Sequence, residues 1–110
     1  MVSNNYHAQL IVLFGENLSY FIENLGFQPV RVETNRSIGG TDVDIVVEGE
    51  EGRRALVEVK SHQGLVGKFE RKQLPKYRAY DPEASIHVLV GSYDKSLELP
   101  KVTLKQYWPR

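Results

Sequence analysis

Thr41-Asp42-Val43-Asp44-Ile45-Val46-Val47 and Ala55-Leu56-Val57-Glu58-Val59-Lys60 are the two runs whose reading decides the fold. Apolar residues recur at every second position, the period of a strand whose side chains point alternately to opposite faces. Between the runs lies Gly49-Glu50-Glu51-Gly52. A three-residue loop of Glu50, Glu51 and Gly52 puts Gly52 where such a hairpin needs a positive φ. Gly49 then faces Arg53, which sets Asp44 opposite Glu58 and Asp42 opposite Lys60. Val43, Ile45 and Val47 share the other face with Ala55, Val57 and Val59, so that face is expected in the core and the charged face apart from it.

Like charges directly opposed on a sheet cost roughly 0.2 to 1 kcal/mol, so Asp44 facing Glu58 asks for a cation between them. A hard divalent ion suits two carboxylates, with water and phosphate completing its shell. The plainer alternative is a solvated strand edge on which Glu58 pairs with Lys60 and Asp42 bridges to the same lysine.

The 110 residues are 41% apolar and 25% charged, the composition of a single globular domain spanning 1–110. The absence of cysteine excludes disulfides and thiolate metal sites, and His7, His62 and His87 are too scattered for a zinc motif. The apolar run from Leu10 to Phe14 is too short for a signal-peptide core or a membrane span, so the expectation is a soluble, cytoplasmic protein. Net charge is zero but unevenly spread. Residues 1–52 carry two basic and eight acidic side chains, whereas 53–80 carry eight basic and two acidic. Arg53, Arg54, Lys60, Lys68, Arg71, Lys72, Lys76 and Arg78 therefore form either a phosphate-facing surface or a solvated helix and turn.

Leu10, Ile11, Phe14, Leu18, Phe21, Ile22 and Leu25 recur at helical spacing up to Gly26, predicting a helix from about Asn5 to Leu25. Phe27 to Thr34, with Pro29, reads as an edge or irregular strand, and Asn35 to Gly40 as a loop. Lys68 to Tyr80 is expected to be helical, Pro75 either kinking it or marking a first turn. Ile86 to Val90 reads as a buried strand and Val102 to Leu104 as one more, while Tyr107 and Trp108 are either a docking anchor or a partner contact.

Helix, three strands, helix, strand, with "GGTDVDIVV" on the second strand and "LVEVK" on the third, resembles the PD-(D/E)XK, or restriction-endonuclease-like, nuclease superfamily. The likeness runs from the first helix to the strand at Ile86. It implies an α/β fold with an αβββαβ core and a mixed central sheet flanked by helices. Relatives include restriction enzymes, archaeal Holliday junction resolvases, Mrr-like enzymes and RecB-type nucleases. The RecB type also carries Gln-x-x-x-Tyr after the lysine, matched here by Gln73 and Tyr77. Residues four apart share a helix face, so this pair either addresses the site and the nucleic acid or is a surface glutamine with a packing aromatic.

The resemblance implies Asp44 and Glu58 as metal ligands together with the backbone carbonyl of Val59, and Lys60 beside the attacking water or scissile phosphate. Asp42 is left to hold a second ion, to orient Lys60, or to be the ligand itself in another register. The implied cofactor is Mg²⁺ or Mn²⁺, and the implied activity is DNA phosphodiester hydrolysis by an endonuclease that reads structure rather than sequence, as a junction resolvase does. Lys68, Arg71, Lys72 and Lys76, with Gln73 and Tyr77, are the expected DNA contacts, and cutting two strands favours a homodimer. Many relatives carry an acid on the first helix, but Glu16 points almost opposite the apolar stripe at 100° per residue. The departure leaves room for a rival reading, a non-catalytic module that keeps the fold and binds nucleic acid or protein. His62, close after the lysine, is either a substrate contact or a plain turn histidine.

Overall fold

Gly39 and Gly40 take φ of 55° and 81°, the pair of positive values that a two-residue type I′ hairpin needs. They join β1 (Pro29–Ile38) to β2 (Thr41–Gly49), so the stretch read as a loop is mostly strand, with only its two glycines turning. The computed structural model describes residues 3–94, 96 and 99–109. In the next hairpin the Gly49 N–H donates to the Arg53 carbonyl at 2.9 Å, and Gly52 has φ 74°, as its position required. Glu51 shares the left-handed region at φ 61°. The strand β3 (Arg54–Lys60) pairs with β2 from Glu48 and Arg54 up to Ile45 and Val57, in the register set by Gly52.

The sheet runs β1-β2-β3-β4-β5, with β4 spanning Ser85–Asp94 and β5 Leu99–Tyr107. Only the β3–β4 pair is parallel, so the chain must cross over between them. Two short helices make that crossover, α3 (Val66–Lys72) and α4 (Leu74–Tyr80), with Pro75 in the first turn of α4, where a missing N–H costs nothing. At the N-terminus α1 (Ser3–Glu16) stops short of the expected helix, and a single turn α2 (Leu18–Phe21) follows. The break is at Asn17, whose side-chain amide donates to the Leu13 carbonyl at 2.8 Å and competes with the backbone ladder. Leu25 is still buried, but from an irregular segment.

Both faces of the sheet are covered. Leu10, Phe14, Leu18 and Ile22 pack on Ile45, Val47, Ala55, Val57 and Val59. On the other side Val66, Phe69 and Tyr77 pack on Val46, Leu56, Ile86 and Val88. The charged face of the hairpin is thus not wholly apart from the packing face, because the crossover helices bury its apolar positions. Val43 joins this second cluster rather than that of Ile45. The change falls where Asn35, opposite Asp44, takes φ 54° and leaves a gap between the Thr34–Ile45 and Arg36–Val43 pairs.

The tail docks onto the domain. Tyr107 donates from its hydroxyl to Glu70 at 2.8 Å, and the Trp108 ring stands edge-on to His87 at 5.4 Å. Among the described residues no helix is long and apolar enough to cross a membrane.

Candidate active site

Asp44 lies one residue beyond the last β2–β3 pair, where the two strands part. Its Oδ2 accepts the Val59 N–H at 2.8 Å, so a side-chain oxygen stands where a ladder carbonyl would have been. The fork is therefore held open without orphaning a buried donor. Oδ1 accepts no hydrogen bond from the described residues.

Glu58 is 4% exposed and fully engaged. Tyr77 donates its hydroxyl to Oε1 at 2.7 Å, and Lys60 Nζ stands 2.8 Å from Oε2. A carboxylate this buried needs such partners. Lys60 also donates to Gln73 Oε1 at 3.2 Å and lies over the Phe69 ring, 5.8 Å from its centroid. Gln73 forms the joint between α3 and α4, and Tyr77 follows one turn later. The crossover thus delivers both residues to the strand pair. Tyr77 is 1% exposed, so its hydroxyl supports Glu58 and the Asp42 carbonyl, 3.3 Å away, rather than meeting a ligand. Burial and the charge of Glu58 push the Tyr77 hydroxyl far above its ordinary range, keeping it a donor.

Burial first, and then the charge of Glu58, push the Asp44 carboxyl up to about 6. The Val59 N–H, His7 and Lys60 oppose that rise without cancelling it. Burial is the larger cause, and the like-charge conflict expected from the sequence adds to it, leaving a carboxyl that resists ionising. The donor set fits a hard divalent cation: two neighbouring carboxylates, one with a free oxygen, leaving most positions to water and phosphate. Among the described residues no group of three or more His, Cys, Asp or Glu side chains is gathered as a ready cage.

His7 is the residue that sequence reasoning missed. Its Nε2 is 2.9 Å from the Val59 carbonyl and 3.6 Å from Asp44 Oδ2. The signal was present, since His7 precedes Leu10, Ile11 and Phe14 by three, four and seven residues and so extends their stripe toward the sheet. Glu16, nine residues on, is exposed at the end of α1 on the opposite side.

Other candidates spread out. Asp42 is exposed and forms no ion pair with Lys60. Arg53 and Arg54 sit at the far end of β3, roughly 20 Å from Lys60 at about 3.3 Å per residue. Arg54 is occupied there by Glu48 and Asp81, at 3.7 and 3.4 Å. Lys68, Arg71, Lys72 and Lys76 are exposed on the crossover helices, and His62 starts the turn after β3 through its carbonyl. Comparison with protein-family models, with curated proteins and with solved structures finds no match to this chain.

Proposed function

We propose that this protein is a divalent-metal-dependent nuclease of the restriction-endonuclease-like kind, acting on DNA at Asp44, Glu58 and Lys60. The observation that carries the reading is the convergence of those three residues at the fork between β2 and β3, with Asp44 on the Val59 N–H, Lys60 bonded to Gln73 and Glu58 to Tyr77. The element order supports it too: helix, antiparallel three-strand meander, helical crossover and parallel fourth strand.

Asp44 and Glu58 would hold the ion, Mg²⁺ or Mn²⁺, with the Val59 carbonyl beside them once His7 yields it. When bound, such an ion supplies a more acidic water and positive charge against the phosphoryl group. Lys60, kept in place by Glu58, Gln73 and the Phe69 ring, presents an ammonium to the same phosphoryl oxygens. Tyr77 keeps Glu58 oriented. Recognition of backbone and shape suits the exposed lysines and arginine of the crossover helices, and two-strand cleavage at a junction would call for two copies of the site in a homodimer.

The test is cleavage of linear, single-stranded and four-way-junction DNA with Mg²⁺ or Mn²⁺, alongside Asp44→Asn and Lys60→Ala. Wild-type cleavage lost in both variants is expected. Cleavage that survives both overturns the site. The engagement of both Glu58 oxygens favours one alternative, a binding module in which Glu58 and Lys60 are a structural pair. It predicts no cleavage, no metal binding, and DNA affinity that falls steeply with salt.

A further inference from the structure

Lys60 borders a second feature. Beside the carboxylates a recess of about 280 Å³ opens, lined by Lys60, Leu65, Lys68, Phe69, Lys72 and Gln73. Lys68 and Lys72 are four apart and share one face of α3. Neither has an ion-pair partner among the described residues, whereas Lys60 is committed to Glu58. Leu65 and Phe69 add apolar lining to the recess, and Gln73 adds an amide. Two lysines without an ion-pair partner among the described residues line one concavity together with Lys60, and so give it a local positive charge in a chain of zero net charge.

We infer that this recess is a discrete phosphate-binding subsite, holding a phosphate group of the substrate strand next to the one addressed by Lys60. The inference rests on the nuclease reading for its substrate and extends it by fixing where the strand leaves the site: over α3, by way of Lys68 and Lys72. Of the eight basic residues between 53 and 80, it singles out these two.

The test uses fluorescent 20-mer duplexes in EDTA, with and without a 5′-phosphate, binding measured across a salt series. Lys68→Gln/Lys72→Gln is compared with Arg31→Gln/Lys101→Gln, which removes the same charge from exposed positions on the two edge strands. Each phosphate contact contributes about 0.9 to the slope of log affinity against log salt. The recess variant is expected to lose close to two contacts, a slope change of roughly 2, while the control keeps the wild-type slope. A preference for the 5′-phosphate that disappears in the recess variant identifies a terminal group as the occupant, and equal binding of both duplexes an internal diester. Equal slope losses in the two variants overturn the inference, because binding is then diffuse. Its failure is separable from failure of the nuclease reading, which is decided by cleavage in Asp44→Asn.

Discussion

Asp44→Asn should make the protein more stable while removing the proposed metal site. A carboxyl held near 6 rather than its ordinary 3.8 is about 3 kcal/mol less favourable in ionised form when folded than when unfolded. The folded state binds this proton more tightly, so the penalty is absent below pH 3.8, grows as pH rises, and is complete above pH 6. Asparagine has nearly the same shape, retains an oxygen for the Val59 N–H, and does not titrate. The variant should therefore match the wild type near pH 3.5 and exceed it by about 3 kcal/mol at pH 7.5. At about 4 to 8 °C per kcal/mol for a domain near this size, that is on the order of 12 to 24 °C in Tm. Urea denaturation at five pH values measures the difference directly, and titrating groups that do not interact with Asp44 cancel in it. Mg²⁺ at 100 times its Kd should return about 2.7 kcal/mol to the wild type and nothing to the variant. A variant equal to or less stable than wild type at pH 7.5, or a difference that does not vary with pH, would refute the reasoning.

Tyr77→Phe strips the hydroxyl from a buried carboxylate, which should cost about 1.5 to 3 kcal/mol in urea denaturation and weaken metal binding by calorimetry. His87 is fully buried and its pKa is lowered to about 4 by burial; Gln106 bonds its Nδ1 at 3.1 Å, so Nε2–H donates to Ser85 at 2.8 Å. Because the unfolded chain takes up this proton near 6.5 and the folded one only near 4, about 3 kcal/mol of stability should be lost as pH falls through that window, read most cleanly in the Asp44→Asn background. Gly91→Ala would put a Cβ 2.6 Å from Leu10 Cδ2 in the core, and thermal melting should show a loss of about 1 to 3 kcal/mol.

The register was legible because one glycine at a defined turn position fixes the pairs from Glu48–Arg54 to Ile45–Val57; beyond them the strands part, so the expected Asp44–Glu58 and Asp42–Lys60 pairs do not form in the ladder. The Gln73 and Tyr77 spacing was legible too, although the sequence left open whether the pair faced inward. What escaped depended on distant parts of the chain. Val46 and Leu56 are buried only because the crossover returns over them, and Asn17 ends α1 by a side-chain bond that periodicity does not register. His7 escaped because a lone histidine that extends an apolar stripe has the same spacing whether it packs or bonds to the sheet. Asn35 to Gly40 looked like a loop from its polar residues, yet only Gly39 and Gly40 needed turn geometry.

The fork between β2 and β3 has a consequence for how such a site can be lost. A valine or threonine at position 44 would suit a strand better than aspartate and would invite the two strands to zip one pair further. Regularity and the proposed chemistry thus compete at a single residue: the fork stays open while position 44 offers a carboxylate or carboxamide oxygen to the Val59 N–H, and drift toward a better strand would close it.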